Sequence, residues 1–161
     1  MMLFNWIRHD TKMKFNLLYK AKRDGDRISV FAEKVKGKSP TLILIETKTG
    51  YKFGGYTTVD WDMTGHYKYK RDESAFIFSI NSKEKFTQIQ KNEKYGICGD
   101  PDHFAFGGGH DLTIWDNFFT HDNSKDYKYG FSYSTTSKFE LTGGTKNFFV
   151  EECEVYHVIF E

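Results

Sequence analysis

The chain has 161 residues, with 23 basic and 22 acidic side chains and a formal charge of +1, so no global field draws it to nucleic acid or to an anionic membrane. That length suits one domain around one core, and the 18% aromatic content, with 16 Phe and 10 Tyr, supplies ample apolar mass to bury. The longest aliphatic run, Leu42 to Ile45, is far short of a bilayer span, and MMLFNWIRHDTK has neither the apolar stretch nor the cleavage site of a secretory leader, which sets a cytoplasmic expectation.

In chain order, KFNLLYK places Phe15, Leu17 and Tyr19 on one face, the two-residue period of a half-buried strand. In DGDRISVFAEKVKGK, Ile28, Phe31, Ala32 and Val35 recur at helical spacing, with Asp26 expected to cap the start and Gly37 just past the end. Pro40 interrupts the chain before TLILIET, which is apolar on both faces and reads as a central strand between two layers. The TKTG turn then predicts a hairpin whose second arm, YKFGGYT, is expected to bulge at Gly54 and Gly55.

AFIFSIN is another buried strand, whereas the lysine-rich stretch beyond Asn81, as far as GICGDPDHFAFGGG, is expected to be mostly loop. Late strands are expected at DLTIWD, YGFSYS and FELTG, and then in NFFVEECEVYHVIFE, where Val155, His157 and Ile159 alternate with Tyr156, Val158 and Phe160. Many short strands, Gly and Asn/Asp turns and one strong helix give a mainly β, α+β class: two packed antiparallel sheets in a single domain over 1–161.

The chemistry concentrates in FAFGGGHDLTIWD. Its glycines fit neither GxxxxGK[ST] nor GxGxxG, and a β-type pattern rather than a helix follows them, so a phosphate cradle is not supported. In an extended segment His110 and Asp111 would point to opposite faces, and a cluster with His103 would require the loop to fold back. The expectation is therefore no catalytic residue, no metal site and no cofactor.

Cys98 and Cys153 form neither CxxC nor a zinc-type spacing and are expected to be free, buried thiols. Glu151, Glu152 and Glu154 should raise the pKa of Cys153. DNSKDYKYG lacks the sixth-position glycine and the closing Glu of a calcium loop and reads as a solvated turn. GHYKYKRDES fits a half-buried β edge as well as it fits a stacking surface.

Five segments in order, FNLLYKAKRDGDRISVF, PTLILIETKTGYKFGGY, AFIFSI, FGGGHDL and FFVEECEVYHV, resemble the TLDc domain, the module shared by the oxidation-resistance proteins and several multidomain relatives. The resemblance runs roughly from Trp6 to the end and implies a two-sheet antiparallel sandwich. It places the family's glycine motifs on Gly54, Gly55, Gly107, Gly108 and Gly109, with His110 and Asp111 following and the C-terminal acidic residue at Glu154; Trp6 and Leu17 to Tyr19 match further family positions.

It also implies a non-catalytic interaction module linked to protection against oxidative stress, several members binding the cytosolic sector of the vacuolar-type proton-pumping ATPase. On that expectation the partner is a protein, not nucleic acid, and the chain has no transmembrane segment and is at most peripheral to endomembranes. The surfaces it would use are loops and strand edges around Gly107 to Asp111 and the C-terminal strand. The alternative is an enzyme or direct oxidant scavenger built on Cys98, His103, His110 and Asp111.

Overall fold

The computed structural model of the chain describes residues 2–126, 132–134 and 141–161, with the backbone alone at 90–92. Among the described residues the strands form two six-stranded sheets, every adjacent pair antiparallel. The first runs β1 (Met13–Lys20), β12 (Val150–Phe160), β2 (Thr41–Thr47), β3 (Lys52–Thr57), β5 (Phe76–Ser79), β6 (Glu84–Thr87). The second runs β11 (Asn147–Phe148), β10 (Ser124–Asp126), β9 (Leu112–Trp115), β8 (His103–Phe106), β7 (Ile97–Asp100), β4 (Lys68–Lys70).

Strand alternation sorts the apolar residues into two clusters. Ile43, Ile45, Phe53, Ile77, Cys153 and Val155 of the first sheet meet Ile97, Phe104, Phe106, Leu112 and Ile114 of the second in the main core. Leu42, Tyr56, Phe76, Phe78 and Val158 point the other way and are covered by α1 (Met2–Ile7), whose Trp6 ring lies 5.8 Å from that of Phe78. The doubly apolar run TLILIET thus serves two layers, as expected of a central strand.

Helix α2 (Ala21–Asp24) follows β1 directly, and α3 (Ile28–Val35) buries Ile28, Phe31 and Val35, with Phe31 stacked on Phe104 at 4.3 Å. Gly37 takes a positive φ of 68° just past the helix. Asp26, however, does not cap α3: the Ile28 N–H donates to Asp116 Oδ1 at 2.8 Å, while Asp26 Oδ2 accepts the Phe119 N–H at 3.1 Å. The two acidic residues cap each other's segments, a long-range exchange that local spacing does not encode.

Other expectations are corrected. In β1 the register shifts between Leu17 and Tyr19, so Phe15 packs with the α1 side, Leu17 is exposed and Tyr19 enters the main core. Gly54 and Gly55 make no bulge; β3 keeps an unbroken register with β2 and β5. The lysine-rich middle is not mostly loop: it contains β6, a 3-10 turn at Gln90–Tyr95, β7 and β8, whose inward residues are too few per strand to show a period.

Ser124–Asp126, expected within a turn, is β10. Of YGFSYS only 132–134 is described, where Tyr133 bridges Gln88; of FELTG, Leu141–Gly143 is turn rather than strand. The C-terminal segment divides at Phe149, giving β11 to one sheet and β12 to the other.

Candidate functional site

Ile97, Phe104 and Phe106 face the core, so Cys98 on β7 and His103 on β8 face outward from the second sheet. Asp100 Oδ1 accepts the N–H groups of Asp102 at 2.8 Å and His103 at 2.9 Å, and lies 2.8 Å from His103 Nδ1. Trp115, opposite His103 in the register with β9, stacks on the imidazole at 4.3 Å. The ring is thereby fixed and 99% removed from solvent, and its Nε2 has no hydrogen-bond partner among the described residues.

The glycine segment folds back over this surface. Gly107 (φ 94°) and His110 (φ 53°) are left-handed, the His110 N–H closes a turn on Gly107 O at 3.0 Å, and Gly108 N–H donates to Ser132 Oγ at 2.7 Å. The turn brings the His110 ring to 5.1 Å from that of His103, and Tyr69 Oη lies 3.3 Å from His110 Nε2 and 3.2 Å from Gly108 O. Tyr67, more than half exposed, meets both imidazoles edge-on.

One ligand atom from each of Cys98, His103 and His110 lies within 4.8 Å of the other two. Asp111 leaves this group: its Oδ2 accepts the N–H groups of Ser132 and Tyr133, each at 3.0 Å, and so ties the turn to a neighbouring segment. His110 and Asp111 therefore diverge, as expected, but through a left-handed turn rather than an extended backbone.

Burial, assisted by the Asp100 charge, pushes the Cys98 thiol up to about 12. Burial, and then His103, holds the His110 imidazole below its ordinary range. At neutral pH the group is thus a thiol with a neutral His110, a weak nucleophile but a set of one sulfur and two nitrogen donors. A cleft of about 330 Å³ adjoins it, lined by Gly108, Gly109, His110, Thr113, Trp115 and Lys125.

Both cysteines are free and buried; burial raises the Cys153 thiol, with Glu152 and Glu154 adding to it. Gly54 and Gly55 lie within β3 and contribute nothing to the histidine cluster. Glu154 lies on β12, 3.7 Å from Lys20 Nζ, where it accepts the Tyr156 hydroxyl. Because β12 is hydrogen-bonded to β1 on one side and β2 on the other, it offers no free edge for docking.

Sequence reasoning missed Asp100, Tyr67, Tyr69 and Trp115. The alternating YKYK was a visible sign that Tyr67 and Tyr69 share a face, but nothing local places Tyr69 beside Cys98, its partner in the β4–β7 register.

Among curated proteins, the chain is 25% identical over 119 residues to the zebrafish (Danio rerio) MTOR-associated protein MEAK7, covering 69% of this chain and 26% of that protein. It is 26% identical over 78 residues to the mouse (Mus musculus) protein of the same description, covering 48% of this chain and 17% of the relative. The chain thus spans about a quarter or less of these relatives' length. The ordered glycine and C-terminal motifs, the two-sheet sandwich that they build and a match of the TLDc domain model over residues 1–159 agree, and the chain belongs to the TLDc domain family.

Proposed function

We propose that this TLDc domain is a non-catalytic regulatory module that docks on the cytosolic sector of the vacuolar-type proton-pumping ATPase, works on the cytoplasmic side of membranes and takes part in protection against oxidative stress. The family match over residues 1–159 carries the reading. The likeness to proteins described as MTOR-associated supports a regulatory setting and adds a second class of partner to look for. Docking falls to the surface beside the Gly107–Asp111 turn, where the neighbouring Tyr67 is more than half exposed.

Affinity capture from native lysate with the tagged domain, read by quantitative mass spectrometry, tests the proposal. Enrichment of pump subunits supports it. Other partners appearing while pump subunits stay at background overturns the pump claim, and mTOR-complex subunits appearing alone would move the domain to that setting.

A thiol enzyme or oxidant scavenger is the second reading, favoured by the meeting of Cys98 with two histidines. The raised thiol pKa and full burial of Cys98 weigh against it, and Asp111 is committed to backbone amides. Peroxide consumption that falls when Cys98→Ser and Cys153→Ser are combined would favour it; unchanged consumption excludes peroxide scavenging by either thiol.

A further inference from the structure

We propose that Cys98, His103 and His110 form a binding site for a thiolate-preferring transition-metal ion of the zinc class, with the fourth position open toward the cleft beside His110. Three independent features carry this. The first is convergence: donors five and seven residues apart in sequence come within 4.8 Å of one another because the β7–β8 hairpin sets two of them on one face, diagonally across its register, and the glycine turn returns the third.

The second is the His103 imidazole of this group, whose buried Nε2 has no hydrogen-bond partner among the described residues. Such an atom costs free energy unless something binds its lone pair. Asp100 at Nδ1 sets the tautomer that leaves this lone pair at Nε2, the arrangement in which a carboxylate orients a metal-bound imidazole. The third is the donor set itself: one sulfur and two imidazoles select zinc or copper-class ions over magnesium or calcium, which favour oxygen.

Movement needed on binding is small. A tetrahedral zinc site with metal-to-donor distances of about 2.0–2.3 Å requires donors somewhat closer together than 4.8 Å. His110 supplies that adjustment, because it sits on a turn, is only half-buried, and is held to Tyr69 by a long 3.3 Å contact. Binding displaces the Cys98 proton to solvent, leaving a thiolate bound to the metal.

The test uses the full chain stripped with chelator and titrated with Co²⁺ and, separately, with Zn²⁺ by calorimetry. The expected result is one ion per chain, with cobalt giving the visible bands of a tetrahedral site and a thiolate-to-metal charge-transfer band. His110→Ala, at the half-buried turn, should weaken binding about 100-fold and Asp100→Asn about 10-fold, while His66→Ala and His121→Ala leave it unchanged. Cys98→Ser should abolish the charge-transfer band; if that variant fails to fold, the band in the native chain and its retention in Cys153→Ser identify the sulfur. No saturable binding, a cobalt spectrum without the thiolate band, or affinity unmoved by His110→Ala overturns the proposal.

Discussion

Gly55 of β3 faces the Phe106 ring of β8 across the sandwich so closely that a Cβ at residue 55 would overlap the ring. The two glycine-bearing motifs, KFGGY and FAFGGG, therefore meet in the core: one provides the gap and the other the ring that fills it. Gly54 faces the opposite side, where a Cβ would strike the Ile43 carbonyl and lie 2.9 Å from Phe78 Cζ. Gly55→Ala should cost about 1–3 kcal/mol in urea unfolding, the usual range for overpacking. Phe106→Leu should recover part of that loss in the double variant. Gly54→Ala should gain nothing from Phe106→Leu, because its obstacle is backbone; equal rescue of both would contradict this geometry.

The glycine turn yields a second, comparative expectation. A Cβ on Gly108 would stand 2.7 Å from Tyr95 Cγ and 2.9 Å from Tyr95 Cβ, atoms that cannot swing away as a side-chain tip can. His110 is half-buried, and truncating it removes edge contacts without opening the core. With chelator present, Gly108→Val should therefore destabilise the fold more than His110→Ala does, by about 1–3 kcal/mol, and show the lower melting temperature of the two. The reverse order would mean that the turn is held by the imidazole rather than by the close approach of Tyr95.

The same residues show what the sequence could and could not disclose. TLILIET was legible as a two-faced central strand because seven residues are enough to display both faces, and the α3 stripe was legible for the same reason. ICGD and HFAF are four residues each, too short for a period to stand out from a glycine-rich neighbourhood. Gly54 and Gly55 announced a constraint but not its kind: a close approach to a carbonyl and a ring leaves the same mark in sequence as a bulge. The meeting of Cys98, His103 and His110 depends on the strand register and on a left-handed residue at His110, a conformation for which histidine carries only a modest preference.

The exchange of caps between Asp26 and Asp116 makes a third expectation. Asp116 receives the first free amide of α3 and also lies 3.1 Å from Arg27 Nε, an ion pair on the protein surface. Asp116→Ala should cost about 1–2 kcal/mol, as cap deletions do, whereas Asp116→Asn keeps an acceptor and should lose less than half of that. Chemical denaturation of the two variants side by side separates the cap from the charge. A loss of similar size in both would assign the stability to the Arg27 pairing instead.

Asp126 on β10 makes stability depend on pH. Burial is the main cause that pushes its carboxyl up to about 7; the Leu141 and Thr142 amides and the Thr142 hydroxyl oppose the rise, and the Asp111 charge adds to it. An unfolded aspartate titrates near pH ~3.9, so between about pH 4 and 7 the folded chain holds more protons at this position than the unfolded chain. The stabilisation from protonated Asp126 is full below the unfolded value and is lost as pH rises through about 7, with a limiting slope of about 1.4 kcal/mol per pH unit. In Asp126→Asn the neutral amide carries no such dependence, so urea unfolding across that window should show a flatter profile than the parent, the difference being insensitive to groups that the two chains share. Parallel profiles would mean that Asp126 is already ionised throughout, held by its amide donors against the cost of burial.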